Sequence, residues 1–245
     1  MHLQFIGSGD AFGSGGRLNT CFHVSGQQVN FLIDCGASSL IGLKKEDIRL
    51  NEIQAIFVTH FHADHFGGIP FFMLEAQFSS RRNQPLIIAG PAGLTQWYER
   101  FMETSFPGSS KTKPKFDLSF IELKPKEQVE VGGIKIRPFQ ALHGDSDGPF
   151  LSYRLEAENR ILAYSGDTEW TGELVEAAFQ SDLFIAEAYF FEKKIKFHLD
   201  FATLKEQLVL IQTKRLILTH MSQDMMSRLN TLAVETAYDG KIVEF

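Results

Sequence analysis

Three histidines and an aspartate crowd into six positions, His60-Phe61-His62-Ala63-Asp64-His65. Imidazole nitrogens and carboxylate oxygens suit zinc, and also manganese or iron. A lone histidine is ordinarily a surface residue or a hydrogen-bonded core residue. Four such groups beside an apolar run are costly to desolvate unless a cation takes up their lone pairs. In an extended or turn-like loop His60 and His62 can face one position, and Asp64 and His65, past the turn, a second. The spacing therefore predicts a two-cation cluster rather than a single tetrahedral site. More ligands stand in similar settings downstream. His143 follows the apolar run Ile134–Ala141, Asp167 lies in Ser165-Gly166-Asp167-Thr168, and His220 follows Leu216–Thr219. A carboxylate such as Asp167 can bridge two cations through its two oxygens, which an imidazole cannot.

Such ligands must be aimed by rigid elements. Short runs rich in Val, Ile, Leu and Phe read as strands: Gln28–Asp34, Ala55–Thr59, Pro85–Gly90, Ile134–Ala141, Pro149–Glu156, Arg160–Ser165, Leu183–Glu187 and Arg215–Thr219. Several are nearly continuous in apolar residues, which suits strands buried on both faces. Helices are expected over Ile69–Phe78, Ala92–Thr104, Thr171–Phe179 and Phe201–Ile211, the last with Asp200 as its N-cap. Strands lead and helices follow in each half, which predicts sheets covered by helices. Each candidate ligand then sits at a strand end, held by the sheet. Pro107–Lys115 reads as a loop, and Gly7-Ser8-Gly9 as a tight turn after the first strand rather than a phosphate-binding motif.

The chain has 245 residues, 44% of them apolar and 22% charged, values that argue against disorder, collagen and coiled coil. Two cysteines, Cys21 and Cys35, are too few for a disulfide scaffold and are not spaced as a redox pair. Cys35 is expected to be a packed thiol, and its neighbour Asp34 to support the metal loop from behind the ligands. A net charge of −6 gives no broad basic surface for duplex DNA. No run approaches the ~18 apolar residues of a membrane span, and the first ten residues lack a basic stretch followed by an apolar one. A cytoplasmic chain with no membrane partner is the expectation.

His60-x-His62-x-Asp64-His65, with His143, Asp167 and His220 following in order, resembles the metallo-β-lactamase-fold hydrolases over essentially the whole chain. Phe5-Ile6-Gly7-Ser8-Gly9, Arg17-Leu18-Asn19-Thr20, Asp34-Cys35-Gly36 and Leu218-Thr219-His220-Met221-Ser222 are similar to the ribonuclease Z and phosphodiesterase branch. The resemblance implies a single α/β domain over residues 1–245, a four-layer αββα sandwich with two divalent cations at one edge. It implies zinc first, with manganese or iron as alternatives. One cation would take His60, His62, His143 and Asp167; the other would take Asp64, His65, His220 and the same Asp167. Glu187, in Ala186-Glu187-Ala188, and His198, before Leu199-Asp200, match a pair that acts near the scissile phosphate in this branch. Here Ala186 replaces a histidine, and Leu199-Asp200 replaces Ser-Thr. The branch members that mature transfer RNA carry a protruding arm, inserted in the bacterial form between the positions of His143 and Asp167. Only 23 residues, 144–166, lie between them here, which leaves no room for an arm.

The function these residues imply is a phosphodiesterase using a metal-bridging hydroxide. Asp64 would hold the nucleophile's proton, and His198, kept cationic by Glu187, would protonate the leaving alkoxide. The substrate expected is a small or single-stranded phosphodiester. Hydrolysis of a lactone, thioester or β-lactam is the alternative, and a binding protein on an inactive fold is disfavoured because every expected ligand is present. Phe66, Phe71, Phe72 and Phe78 crowd the segment after the metal loop, where relatives dimerise; a homodimer is one reading and a Phe-rich core the other. Metal analysis should find near two equivalents per chain, lost on His62→Ala or Asp167→Ala; an unchanged metal content in both variants would remove the cluster from the account.

Overall fold

A computed structural model describes residues 1–144 and 148–245. Two seven-stranded sheets face one another. The first holds β1 (His2–Gly7), β2 (Cys21–Ser25), β3 (Asn30–Ile33), β4 (Ala55–Phe57), β5 (Leu86–Gly90) and β6 (Leu118–Glu122), with β14 (Ile242–Glu244) on the edge beside β1. The second runs β7 (Val129–Val131), β8 (Ile134–Gln140), β9 (Leu151–Ala157), β10 (Arg160–Tyr164), β11 (Leu183–Glu187), β12 (Leu216–Thr219) and β13 (Glu235–Thr236). Both sheets share one plan. β14 to β3 pair antiparallel and β3 to β6 parallel. Likewise β7 to β10 pair antiparallel and β10 to β13 parallel.

Three apolar layers hold the sandwich. Between the sheets lie Phe5, Phe22, Phe31, Phe57, Tyr153, Leu155 and Tyr164, all buried. Phe22 of one sheet meets Tyr164 of the other edge-on, with ring centres 5.0 Å apart, and the Tyr153 hydroxyl donates to the Val58 carbonyl across the gap. The outer face of the first sheet is covered by α1 (Ser39–Lys45), α2 (Ala63–Phe66), α3 (Ile69–Leu74) and α4 (Leu94–Ser105) through Leu43, Phe66, Phe72 and Met102. The second is covered by α5 (Glu173–Ala178), α6 (Phe201–Ile211) and α7 (Gln223–Met226) through Leu174, Leu204 and Met225. The arrangement is the four-layer αββα sandwich expected from the sequence. No helix among the described residues is long and apolar enough to cross a membrane.

The strands read from the sequence are present with their ends moved by at most two residues: Leu183–Glu187 is unchanged, Pro149–Glu156 shifts to Leu151–Ala157, and the rest are trimmed. The helix α6 spans the expected Phe201–Ile211, and the Asp200 carboxylate accepts from the Thr203 N–H at 2.8 Å, as an N-cap does. The helix expected over Ile69–Phe78 is α only to Leu74 and continues as a π turn over Glu75–Ser79. Cys21 and Cys35 are free and fully buried, and burial pushes the Cys35 thiol up to about 12. The crowded phenylalanines divide: Phe66 and Phe72 are core, whereas Phe71 and Phe78 are 44% and 62% exposed.

Phe57 lies wholly inside the inter-sheet layer, whereas Phe12 is 81% exposed. Phe57→Ala should cost about 3–5 kcal/mol in urea unfolding, and Phe12→Ser should stay within about 0.5 kcal/mol. Equal losses would place the core elsewhere.

Candidate metal centre

The parallel halves of both sheets, with β8, end at one rim, and the loops that leave them carry the chemistry. Residues 58–62 follow β4. His62 is still extended, at φ −65° and ψ 149°, and its carbonyl accepts the N–H groups of His65 and Phe66 as α2 begins. This single helical turn carries Asp64 and His65 round to a position behind His60. Gly36 allows the packing, because a Cβ there would lie 2.2 Å from the Asp64 carbonyl oxygen. Asp167 is delivered by Gly166, which has φ +58° and no room for a Cβ, 2.7 Å from the Leu151 carbonyl. His220 follows β12 in the left-handed region, φ 53°, with its N–H on the Ser8 carbonyl at 3.2 Å.

Two groups of donor atoms result, His60, His62 and His143 in one and Asp64, His65, Asp167 and His220 in the other; within each, the donors lie inside 4.8 Å of one another. His143 Nε2 is 3.1 Å from His62 Nδ1 and 3.7 Å from Asp167 Oδ2. Asp167 lies between the groups, with Oδ1 3.3 Å from His65 Nε2 and Oδ2 3.3 Å from His220 Nε2. A third group joins Asp167 and His220 to Glu187 and His198. Glu187 Oε1 accepts from His198 Nδ1, while its Oε2 accepts from the N–H groups of Thr168 and Leu199. All seven expected ligands and the Glu187–His198 pair thus converge.

The donor set fits divalent cations. His60 Nε2 and Asp167 Oδ1 are buried without a hydrogen-bond partner, a costly state for polar atoms unless something else takes their lone pairs. Asp34, wholly buried, accepts from His65 Nδ1 at 2.7 Å and from the Thr59 N–H and hydroxyl. That bond fixes the tautomer that leaves His65 Nε2 facing the cluster. The Phe197 carbonyl does the same for His143 Nδ1, at 2.6 Å. The His220 Nδ1 lies 3.4 Å from Glu187 Oε1, off the line of a hydrogen bond.

Charge is divided sharply within the cluster. Burial draws His60 well below, and His62 below, the ordinary imidazole value. Burial opposes charge on His65 and His220 too, but Asp167 and Asp64 outweigh it, raising His65 well above its usual value and His220 to about 10. In return His65 holds Asp64, and His220 holds Asp167, below the carboxylate range despite burial. His198 is raised by Glu187 against the effect of its own burial.

Some neighbours carry no signal in the sequence. Phe150 packs against His60, His62 and His143, with ring centres 5.3–5.9 Å away. Tyr189 stacks on His198 at 4.5 Å. Thr59 is adjacent to His60 and tied to Asp34, yet threonine at a strand end is too common to stand out.

A family model described as the anti-Pycsar protein Apyc1 matches residues 1–239. The chain belongs to the Apyc1 family. Among curated proteins, this Apyc1-family chain is 30% identical to a ribonuclease Z of Methanosarcina acetivorans, over 63% of the chain and about half, 48%, of that protein. It is 28% identical to a ribonuclease Z of Agathobacter rectalis over 80% of the chain and 79% of that protein. Among solved structures it overlays human tRNase Z, short form, with a TM-score of 0.81 and 25% identity, covering 100% of this chain and 99% of the other. The expected resemblance is thereby established. The Apyc1-family chain is a metal-dependent phosphodiesterase of the ribonuclease Z-like branch of the metallo-β-lactamase fold.

Cations entering this site must displace the protons that His65 and His220 hold. Zinc affinity should therefore rise by roughly tenfold per pH unit for each proton displaced, up to the His220 value. A calorimetric titration in buffers of different ionisation enthalpy would read the released protons, and pH-independent uptake would contradict the charge assignment.

Proposed function

We propose that this chain hydrolyses a small or single-stranded phosphodiester with the help of two divalent cations, zinc first among them. His60, His62, His143 and Asp167 would hold one, and Asp64, His65, His220 and Asp167 the other, all within one domain. When bound, the cations supply Lewis acidity, lowering the pKa of water and offsetting charge on the non-bridging phosphate oxygens. The chain's own groups do the rest. Asp64, at the edge of the cluster beside His65 and His220, accepts a proton from the attacking water. His198, bonded through Nδ1 to Glu187, keeps Nε2–H for substrate and gives that proton to the leaving oxygen. Thr168 and Leu199 hold the other Glu187 oxygen, so the acid's partner does not swing.

The observation that carries this reading is the Glu187–His198 pair beside the cluster. An alkoxide leaving group needs an acid, and His198 held by Glu187 supplies one beside the cluster. The hairpin of β9 and β10 makes up most of the interval from His143 to Asp167, with a turn at Glu158-Asn159 and no arm among the described residues. That supports small diesters, or a free RNA end, over folded transfer RNA. The family's description extends to this chain as the proposal that it acts against Pycsar. A homodimer through exposed Phe71 and Phe78 belongs to the same reading, with light scattering as its check.

The test uses leaving groups of different basicity. His198→Ala should slow a dialkyl-type nucleotide diester by about 10²–10⁴-fold and bis-p-nitrophenyl phosphate far less, because p-nitrophenolate leaves unaided. Lactones and nitrocefin run alongside. Turnover of these alone, or an equal effect of His198→Ala on both diesters, would defeat the proposal.

A further inference from the structure

His143 and His198 have separate tasks, yet a short chain of bonds ties them together. Glu169 lies two residues after Asp167. Its N–H donates to the carbonyl of Leu142, the residue before His143, at 2.9 Å. Its carboxylate Oε1 accepts from the N–H of Phe197, the residue before His198, at 2.8 Å. Phe197 then returns its own carbonyl to His143 Nδ1 at 2.6 Å. The two imidazoles it joins lie edge to face, with ring centres 4.8 Å apart.

Phe197 has φ 74°. A bulky aromatic residue almost never adopts this left-handed conformation unaided, since its Cβ crowds the following carbonyl. It persists only where its surroundings over-determine it. The segment that contains it has little regular structure to do so: between β11 and α6 there are only the isolated bridges Phe190↔Asp200 and Ile195↔His198. Two hydrogen bonds hold Phe197 itself, Glu169 at its N–H and His143 at its C=O. If Phe197 relaxed to negative φ, its carbonyl would turn away from His143. His198, the next residue, would be carried off Glu187.

We propose that Glu169 is a positioning residue: by holding the Phe197 N–H it fixes the strained turn that sets the His143 tautomer and aims His198. The metal and rate consequences rest on the phosphodiesterase reading, whereas the tautomer consequence does not. Nitrogen-15 NMR of the imidazoles, zinc competition against a chelator, and turnover of a nucleotide diester test it in Glu169→Ala and Glu169→Gln. In the native protein His143 should read as the Nδ1–H tautomer with a bare Nε2. Glu169→Ala should mix its tautomers and weaken zinc binding about 10–100-fold, the usual effect of removing a group that orients a ligand. The glutamine variant, whose Oε1 can accept the same N–H, should stay within about threefold of native. Adding Phe197→Gly to Glu169→Ala should recover part of the loss, because glycine reaches positive φ at no steric cost.

An unchanged His143 tautomer in Glu169→Ala overturns the proposal, even if that variant melts earlier. Equal damage from alanine and glutamine overturns it as well. If the native protein binds zinc but turns over no diester, the phosphodiesterase reading falls, and the tautomer and zinc measurements still decide the role of Glu169.

Discussion

Desolvation at one rim of the sandwich governs everything around it. His60, His65, Asp167 and His220 are almost entirely out of water, and Asp64 and His143 nearly so. Groups of this kind cannot be left bare in a low-dielectric setting. They survive there by pairing opposite charges, by fixing each tautomer from behind, and by offering their remaining lone pairs to cations. Asp34 shows how deep the requirement reaches. It is a fully buried carboxylate in a left-handed conformation, φ 57°, held by Thr59 and spent entirely on orienting His65.

The architecture answers this demand by repeating one device. Each sheet has an antiparallel half that closes against its fellow and a parallel half whose strand ends gather at the same rim. Strands β4, β10 and β12 each feed a loop that reaches a residue of the site within three positions, and β11 ends on one, Glu187. Because the strands are buried on both faces, their ends cannot drift, and the loops inherit their precision. Three non-glycine residues with positive φ, Asp34, Phe197 and His220, stand at this rim. Strain of that sort is tolerated where a rigid frame and a dense hydrogen-bond network hold it in place.

Much of this was legible in the amino-acid order. The histidine cluster, Asp167 and His220 announce themselves because so many donors beside apolar strands would be costly to bury without a cation to bind them. The central strands are long, apolar and bounded by turn residues, and α6 begins at an unambiguous cap. Other elements carry too little local signal. The helices α2 and α7 have four residues each, and β13 has two; elements so short exist only because neighbours hold them. The π turn after α3 breaks a pattern that reads as continuous helix. Around the site, Thr59, Phe150, Glu169 and Tyr189 are common residue types whose work is defined by what lies opposite in space. The reach from Glu169 to Phe197 closes a gap of 28 positions through a single carboxylate, and no periodicity marks it.

The two thiols carry a practical consequence. Both are sealed within the layer between the first sheet and its helices, and thiolate, the reactive form, is suppressed there. The folded chain therefore offers maleimide reagents no native target. A cysteine introduced at an exposed point on the rim would accept a fluorophore or spin label selectively, so that rearrangement around the cluster could be followed without first removing either natural sulfhydryl.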